Sequence, residues 1–161
     1  MIANAAIFPT STFIETSVEK FKKVMDTNIP GVFLCFKHAA IQMIKQGRGG
    51  RLIAARSGAR KRGVPHLADY SASKFAVCGL VQSASLELRT YGITVNAYAP
   101  GYIAHPSLLL TFKEDEPKFL SSQNPAGKPE NIASMVSYLV KPEAYFVNCT
   151  GWNPIYTRPT L

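Results

Sequence analysis

No stretch of this chain is apolar for long enough to cross a bilayer, and the N-terminal run MIANAAIFPTSTF has no positive segment ahead of an apolar core. Neither a membrane span nor a secretory leader is expected. Cysteine is sparse: Cys35, Cys78 and Cys149 are far apart, odd in number and without metal-ligand spacing. That argues against a zinc site and a disulfide framework, and points to a reducing compartment, the cytoplasm. Acidic residues are few, 10 against 18 Lys and Arg, which leaves a formal charge of +8. Such an excess attracts anions. Yet the densest basic stretch, Arg56, Arg60, Lys61 and Arg62 with Arg48 and Arg51 upstream, has no interleaved aromatics. It reads as a solvated loop rather than a nucleic-acid surface. Residues 1–161 also contain no internal repeat, no low-complexity tract and no Gly-x-Gly-x-x-Gly turn of the kind that cradles phosphates.

What is present suffices for a core: 161 residues, 47% of them hydrophobic, fit a single domain. Met1-Ile2-Ala3 reads as the tail of a strand. Thr16 and Glu19 have the spacing of a capping box and predict a helix over 16–46, ended by Gly47, Gly49 and Gly50 and kinked at Pro30. Its apolar residues form two stripes, Phe21, Met25, Val32, Phe36 and Met43 on one and Val24, Phe33, Ala40 and Ile44 on the other. Two stripes require burial on two sides, one on a sheet and one against another helix or subunit. A strand is expected over 51–55. A helix follows over 69–91, with a small-residue face of Ala72, Ala76, Gly79, Ser83 and Ala84, stopped by Gly92. Ile93-Thr94-Val95-Asn96-Ala97 reads as a buried strand and Pro100-Gly101 as the loop after it. Residues 107–123 are weakly helical, Pro129 opens a helix to about Val140, and the tail from Tyr145 contains a further strand. Strands alternating with long helices predict an α/β fold with a parallel sheet, whose ligands bind at the C-terminal strand ends.

Three of those ends and one helix start carry polar or small residues: Asn4-Ala5-Ala6, Arg56-Ser57-Gly58, Pro100-Gly101-Tyr102-Ile103 and Tyr70-Ser71-Ala72-Ser73-Lys74. A spacing of four puts Tyr70 and Lys74 on one helical face. An ammonium beside a phenol stabilises the phenolate, and a tyrosine so tuned exchanges a proton with a carbonyl or alcohol near neutral pH. Ser57 is placed to hold the substrate oxygen. The blander readings are packing or surface for His38, a solvated loop for His66, a helix cap for Asp69 and packing for Trp152.

The run Tyr70 to Val77, with Ser57 upstream, resembles the signature of the short-chain dehydrogenase/reductase family. Asn4-Ala5-Ala6 resembles the family's Asn-Asn-Ala-Gly segment, with Ala3 in place of the first Asn and Ala6 in place of the Gly. Asn28 matches the helix asparagine. Tyr91 to Asn96, Pro100-Gly101 and Gly127-Lys128-Pro129-Glu130-Asn131-Ile132-Ala133 match later segments. Within the tail, Asn153-Pro154-Ile155-Tyr156-Thr157 replaces an Asp-Gly-Gly pattern. The strand Gly92 to Gly101 and the Tyr70 segment look closest to diacetyl/acetoin-reductase-like members.

The resemblance implies a truncated Rossmann-type fold: a parallel sheet flanked by helices, one partial NAD(P)-binding domain over 1–161 whose first three strands and Gly-rich loop lie outside these residues. It implies Tyr70 as general acid/base, Lys74 as its tuner and a ligand of the nicotinamide ribose, Ser57 as the orienter of substrate oxygen and Asn28 as the holder of a relay water. Asn4, Ala5, Ala6, Pro100, Gly101 and Ile103 would contact cofactor, and His105 stands where the family often has a threonine. The cofactor is NAD or NADP; the selector between them lies outside this sequence. The expected reaction is hydride transfer between NAD(P) and a small secondary alcohol or ketone, in a homo-oligomer joined through helices 16–46 and 69–91. The alternative is a non-catalytic remnant, or a gene-model fragment, that keeps only the oligomerisation helices; a basic nucleic-acid binder is a third option.

Overall fold

The computed structural model describes residues 1–57, 63–101, 103 and 127–149. Within them, β1 (Ile2–Ala3), β2 (Gly50–Ala55) and β3 (Ile93–Tyr98) form a three-stranded parallel sheet in the order β1-β2-β3. Ile2 faces Ile53 across the first pair, and Gly50 faces Ile93 through to Ala55 and Tyr98 across the second. The helices are α1 (Val18–Asn28), α2 (Pro30–Gln46), α3 (Ala68–Leu88) and α4 (Pro129–Val140).

Both faces of the sheet are covered, so every residue of β3, Thr94 and Asn96 included, and the last four of β2 are buried. Leu52, Ala54, Ile93, Val95 and Ala97 point to one side and pack with Val32, Phe36 and Ala40 of α2 and Val77 and Val81 of α3. Ile53, Ala55 and Tyr98 point to the other and pack with Leu139 of α4. The outer edge of β3 is closed by residues 147–149: Cys149 N donates to Val95 O, and Asn148 Oδ1 accepts from Val95 N at 2.8 Å.

Several expectations change. The single helix over 16–46 is two helices, because Pro30 has no N–H to continue the ladder and instead takes the first position of α2. The N-cap of α1 is Ser17, whose side chain accepts from Lys20 N, and not Thr16, whose hydroxyl donates to Thr12 O. The stripes regroup as well. Val24, Asn28, Val32, Phe36 and Ala40, four apart, form the buried row, whereas Phe21 of the expected first stripe is exposed. The helix expected over 69–91 ends at Leu88, and a 3-10 turn over Arg89–Tyr91 runs to Gly92, which is left-handed. Arg56 is 4% exposed rather than solvated. A 3-10 turn over Pro142–Phe146 leads into the tail, and most of the segment in which a further strand is expected lies outside the described residues. The weak helix over 107–123, the basic residues 60–62, His105, Trp152 and the tail motif 153–157 lie outside the described residues.

One glycine is fixed by contact. Gly49 adopts φ +68°, and a Cβ there would sit 2.5 Å from the Gly92 carbonyl oxygen. The turn that ends α2 and the turn that precedes β3 therefore abut without side chains between them, and Gly50 N donates to Gly92 O at 3.3 Å. This sets the start of the β2–β3 ladder and so where its other end delivers residues 55–57 and 98–101.

Candidate active site

The sheet brings Asn4, Ser57 and Pro100 to one end because its strands are parallel and in register. The ladder runs one bond past the strands, Arg56 N donating to Tyr98 O at 2.8 Å. Helix α3 starts beside that end. Leu67 precedes it without a side-chain cap bond, and Asp69 works instead from the first turn, where Oδ1 accepts from Tyr70 N at 2.7 Å. Asp69 is thus not the N-cap, although it does serve the helix start.

Three of the expected residues meet. The Tyr70 hydroxyl is hydrogen-bonded to Ser57, and Lys74 Nζ lies over the Tyr70 ring, 5.4 Å from its centroid. Lys74 is 2% exposed and donates to the Ala55 carbonyl at 2.9 Å, which ties α3 to the end of β2. Loss of water lowers its pKa to about 8. Burial pushes the Tyr70 phenol upward, and the bond to Ser57 partly opposes this. Sequence spacing leads one to expect a lowered phenol. The opposite direction follows because desolvation outweighs the Ser57 bond.

Asn28 reaches this group through a chain of bonds. Its Oδ1 accepts from Ile7 N and its Nδ2 donates to Ile7 O, both at 2.9 Å, and Nδ2 also donates to Ser73 Oγ at 3.0 Å. Ser73 Oγ in turn donates to Tyr70 O at 2.7 Å. The side chain expected to hold a water is therefore committed to protein partners: it clamps the loop after β1 to the first turn of α3. Asn4 is linked to β3, since Tyr98 donates its hydroxyl proton to Asn4 Oδ1. Ala5 and Gly101 are exposed, Ala6 and Pro100 are half-buried, and Ile103 forms a parallel bridge with Gly127. An open cleft of about 680 Å³ is lined by Ala6, Ile7, Phe8, Pro9, Glu19, Lys20 and Lys23; it lies on the α1 side and does not include Ser57, Tyr70 or Lys74.

The sequence reading missed three contributors. Phe8 packs edge-on against the Tyr70 ring, with centroids 5.7 Å apart. Tyr98 bridges β3 to Asn4. Ser73 lies inside the quoted motif, and its spacing of three from Tyr70 is the signal for a serine that bonds back to the helix carbonyl. No comparable local signal marks Phe8 or Tyr98. His66, exposed and at φ 64°, serves through its backbone, its carbonyl accepting from Ser11 N. Among the described residues no group of three His, Cys, Asp or Glu side chains could hold a metal, and no helix is long and apolar enough to cross a membrane.

The family described as short chain dehydrogenase matches residues 1–116. The chain belongs to the short-chain dehydrogenase/reductase family. A short-chain dehydrogenase/reductase of Hericium erinaceus is 44% identical over 153 residues, covering 91% of this chain and 60% of its own length. An acetoin dehydrogenase structure from Salmonella typhimurium superposes with a TM-score of 0.79 at 33% identity, over 92% of this chain and 59% of that one. A 4-hydroxyisoleucine dehydrogenase complexed with NADH superposes with a TM-score of 0.79 at 28% identity, over 92% and 63%. The chain thus spans about 60% of the length of the relatives it matches. Its three parallel strands and flanking helices are part of a Rossmann-type fold, and the acetoin dehydrogenase match agrees with the resemblance noted in the strand Gly92 to Gly101.

The donor set suits the ribose of a nicotinamide dinucleotide. Lys74 Nζ has three N–H bonds, of which Ala55 accepts one. Beside it stand a phenol and a serine hydroxyl, able to meet ribose and substrate oxygens.

Proposed function

We propose that this chain carries the catalytic portion of an oxidoreductase that interconverts a small secondary alcohol and its ketone with NAD or NADP. The observation that carries the reading is the convergence of Ser57 and Lys74 on the Tyr70 side chain. In the reduction direction the Tyr70 hydroxyl gives its proton to the carbonyl oxygen of the substrate; in oxidation the phenolate takes it back. Ser57 holds the same substrate oxygen and keeps the phenol oriented. Lys74, anchored on Ala55, favours the phenolate electrostatically and binds ribose hydroxyls with its remaining donors. Asn28 holds the loop 4–9 and, through Ser73, the backbone of Tyr70, so any water it positions sits on its main chain rather than its amide. Asn4, Ala5 and Ala6 line the cofactor crevice on one side; Pro100, Gly101 and Ile103 line it on the other. The cofactor, when bound, supplies and accepts the hydride.

The acetoin dehydrogenase relative supports a short hydroxyketone or diketone as substrate, and the NADH complex of another relative supports a nicotinamide dinucleotide. Self-association is part of the reading. Phe33, Leu34, Ile41 and Ile44 of α2 and Phe75 and Leu86 of α3 are exposed on the side away from the sheet, a face suited to pairing with another copy.

The test is Tyr70→Phe in the full natural protein that contains these residues, followed by the absorbance of reduced nicotinamide with acetoin or diacetyl. Turnover is expected to fall at least about a hundredfold, with dinucleotide affinity retained. Wild-type turnover in the variant would remove Tyr70 from its role. An inactive wild-type protein that still self-associates would favour the non-catalytic alternative.

A further inference from the structure

Tyr98 is used by none of the steps above, yet it occupies the end of β3 beside them. Alternation along β3 turns Ile93, Val95 and Ala97 toward α2 and α3 and sends Tyr98 to the opposite face, where its ring packs with Ile53, Ala55 and Leu139. It is 7% exposed. A phenol placed in such a layer needs a partner for its hydroxyl, since a buried polar group left unpaired keeps the full cost of its lost hydration. The partner is Oδ1 of Asn4, the first residue after β1. Because β2 lies between β1 and β3, this bond joins the two outer strands across the last residue of the central one, Ala55. Ala55, whose carbonyl holds Lys74, is the register partner of Tyr98.

We propose that Tyr98 is a positioning residue for the crevice: through Asn4 it holds the loop after β1 at a fixed separation from the Pro100–Gly101 turn after β3. Those segments are the two walls between which the dinucleotide lies in the function proposed above, and the inference rests on that reading. Asn4 itself is exposed. Without the phenol, the loop 4–9 keeps its tie at Ile7 through Asn28 but loses the one at its start. The consequence falls on cofactor binding, because Tyr70 keeps its bond to Ser57 and Lys74 keeps Ala55. Burial and the nearby Tyr70 phenol both raise the pKa of Tyr98, so it stays a neutral donor across the working pH range.

Tyr98→Phe retains the ring and removes only the hydroxyl. In the full natural protein, the dinucleotide KM is expected to rise about tenfold, the size of one lost bond of about 1.4 kcal/mol, with kcat within about twofold of wild type. Asn4→Ala, at an exposed position that does not threaten the core, is expected to raise the same KM, and the double variant to be no worse than the poorer single one. An unchanged dinucleotide KM in Tyr98→Phe overturns the proposal, as does a fall in kcat without a change in KM. Amide hydrogen exchange over residues 4–8 gives a second measure that needs no activity. If the wild-type protein turns over neither alcohol nor ketone, the proposed function fails. Faster exchange in Tyr98→Phe then still upholds the tether, and unchanged exchange overturns it.

Discussion

Lys74 is 2% exposed and its pKa falls to about 8 for want of water. An ordinary lysine stays protonated to 10.5, so between these values the unfolded chain binds a proton that the folded chain does not. Stability therefore rises with pH across that window, and the cost of the buried ammonium is fully present below about pH 8. Lys74→Met removes this dependence. The wild type is expected to gain about 1–2 kcal/mol on the variant between pH 8 and pH 10, a shift of several degrees in Tm followed by circular dichroism at each pH. A constant Tm difference would mean that Lys74 titrates normally. The raised pKa of Tyr70 acts in the other direction only above the ordinary tyrosine value, where the unfolded phenol ionises first. At this scale the sequence was informative about identities and less so about states. Helical spacing set Tyr70 and Lys74 on one face and the strand ends directed Ser57 toward them, but the spacing suggested a lowered phenol. The balance between ammonium and desolvation depends on how much water the crevice excludes, and that is set by residues such as Phe8 that no motif flags.

Between α1 and α2 the chain breaks at Ile29, just where Asn28 is needed. Hydrophobic period and the proline signal make helical character and a disturbance at Pro30 legible, but they do not say whether the helix bends or restarts. The restart aligns Val24, Asn28 and Val32 in one buried row, which is why stripes drawn through an unbroken helix misplace Phe21 and split Val24 from its partners. It also delivers the Asn28 amide to Ile7 and Ser73, a contact between elements distant in sequence that no local pattern encodes. Asn28→Ala would leave the Ile7 amide and carbonyl and the Ser73 hydroxyl short of partners. A loss of about 3 kcal/mol is expected from chemical denaturation, with faster amide exchange over residues 6–9. Asn28→Asp keeps the acceptor for Ile7 N and loses both donors, so it is expected to fall between wild type and alanine. Equal stability of all three proteins would show that the clamp contributes nothing. By contrast, β2 and β3 were readable almost to the residue, because each is a short stretch rich in apolar residues that begins at a glycine turn, at Gly49-Gly50 and at Gly92.

For the whole molecule, the covered faces and the uncovered ones set expectations of different kinds. The exposed apolar residues of α2 and α3 lie on one side of the sheet, and a dimer through them is expected in sedimentation at micromolar concentration. Phe33→Asp with Phe75→Asp should yield a monomer, whereas a wild-type monomer would exclude this interface. The second expectation concerns a polypeptide of residues 1–161 by itself. A dinucleotide in an open α/β sheet lies across the point where strand order reverses, with its diphosphate at a glycine turn feeding a helix N-terminus. In the function proposed above, these residues supply only the nicotinamide side, through Ser57, Tyr70, Lys74 and the Pro100 turn. Gly47, Gly49 and Gly50 do not supply the other side, since they close α2 and open a strand, so no helix dipole backs their amides. Strand β1 stands at the edge of the described sheet, with Ile2 exposed, an arrangement that invites strand pairing between chains. The 161-residue polypeptide is therefore expected to be poorly soluble and to show no saturable change when NADH or NADPH is titrated by fluorescence. A Kd in the low micromolar range, at the tight end of ordinary Michaelis constants of roughly 1 μM to 1 mM, would require a diphosphate site among these residues, and Lys20 and Lys23, which line the cleft beside Ala6, would be the first to replace.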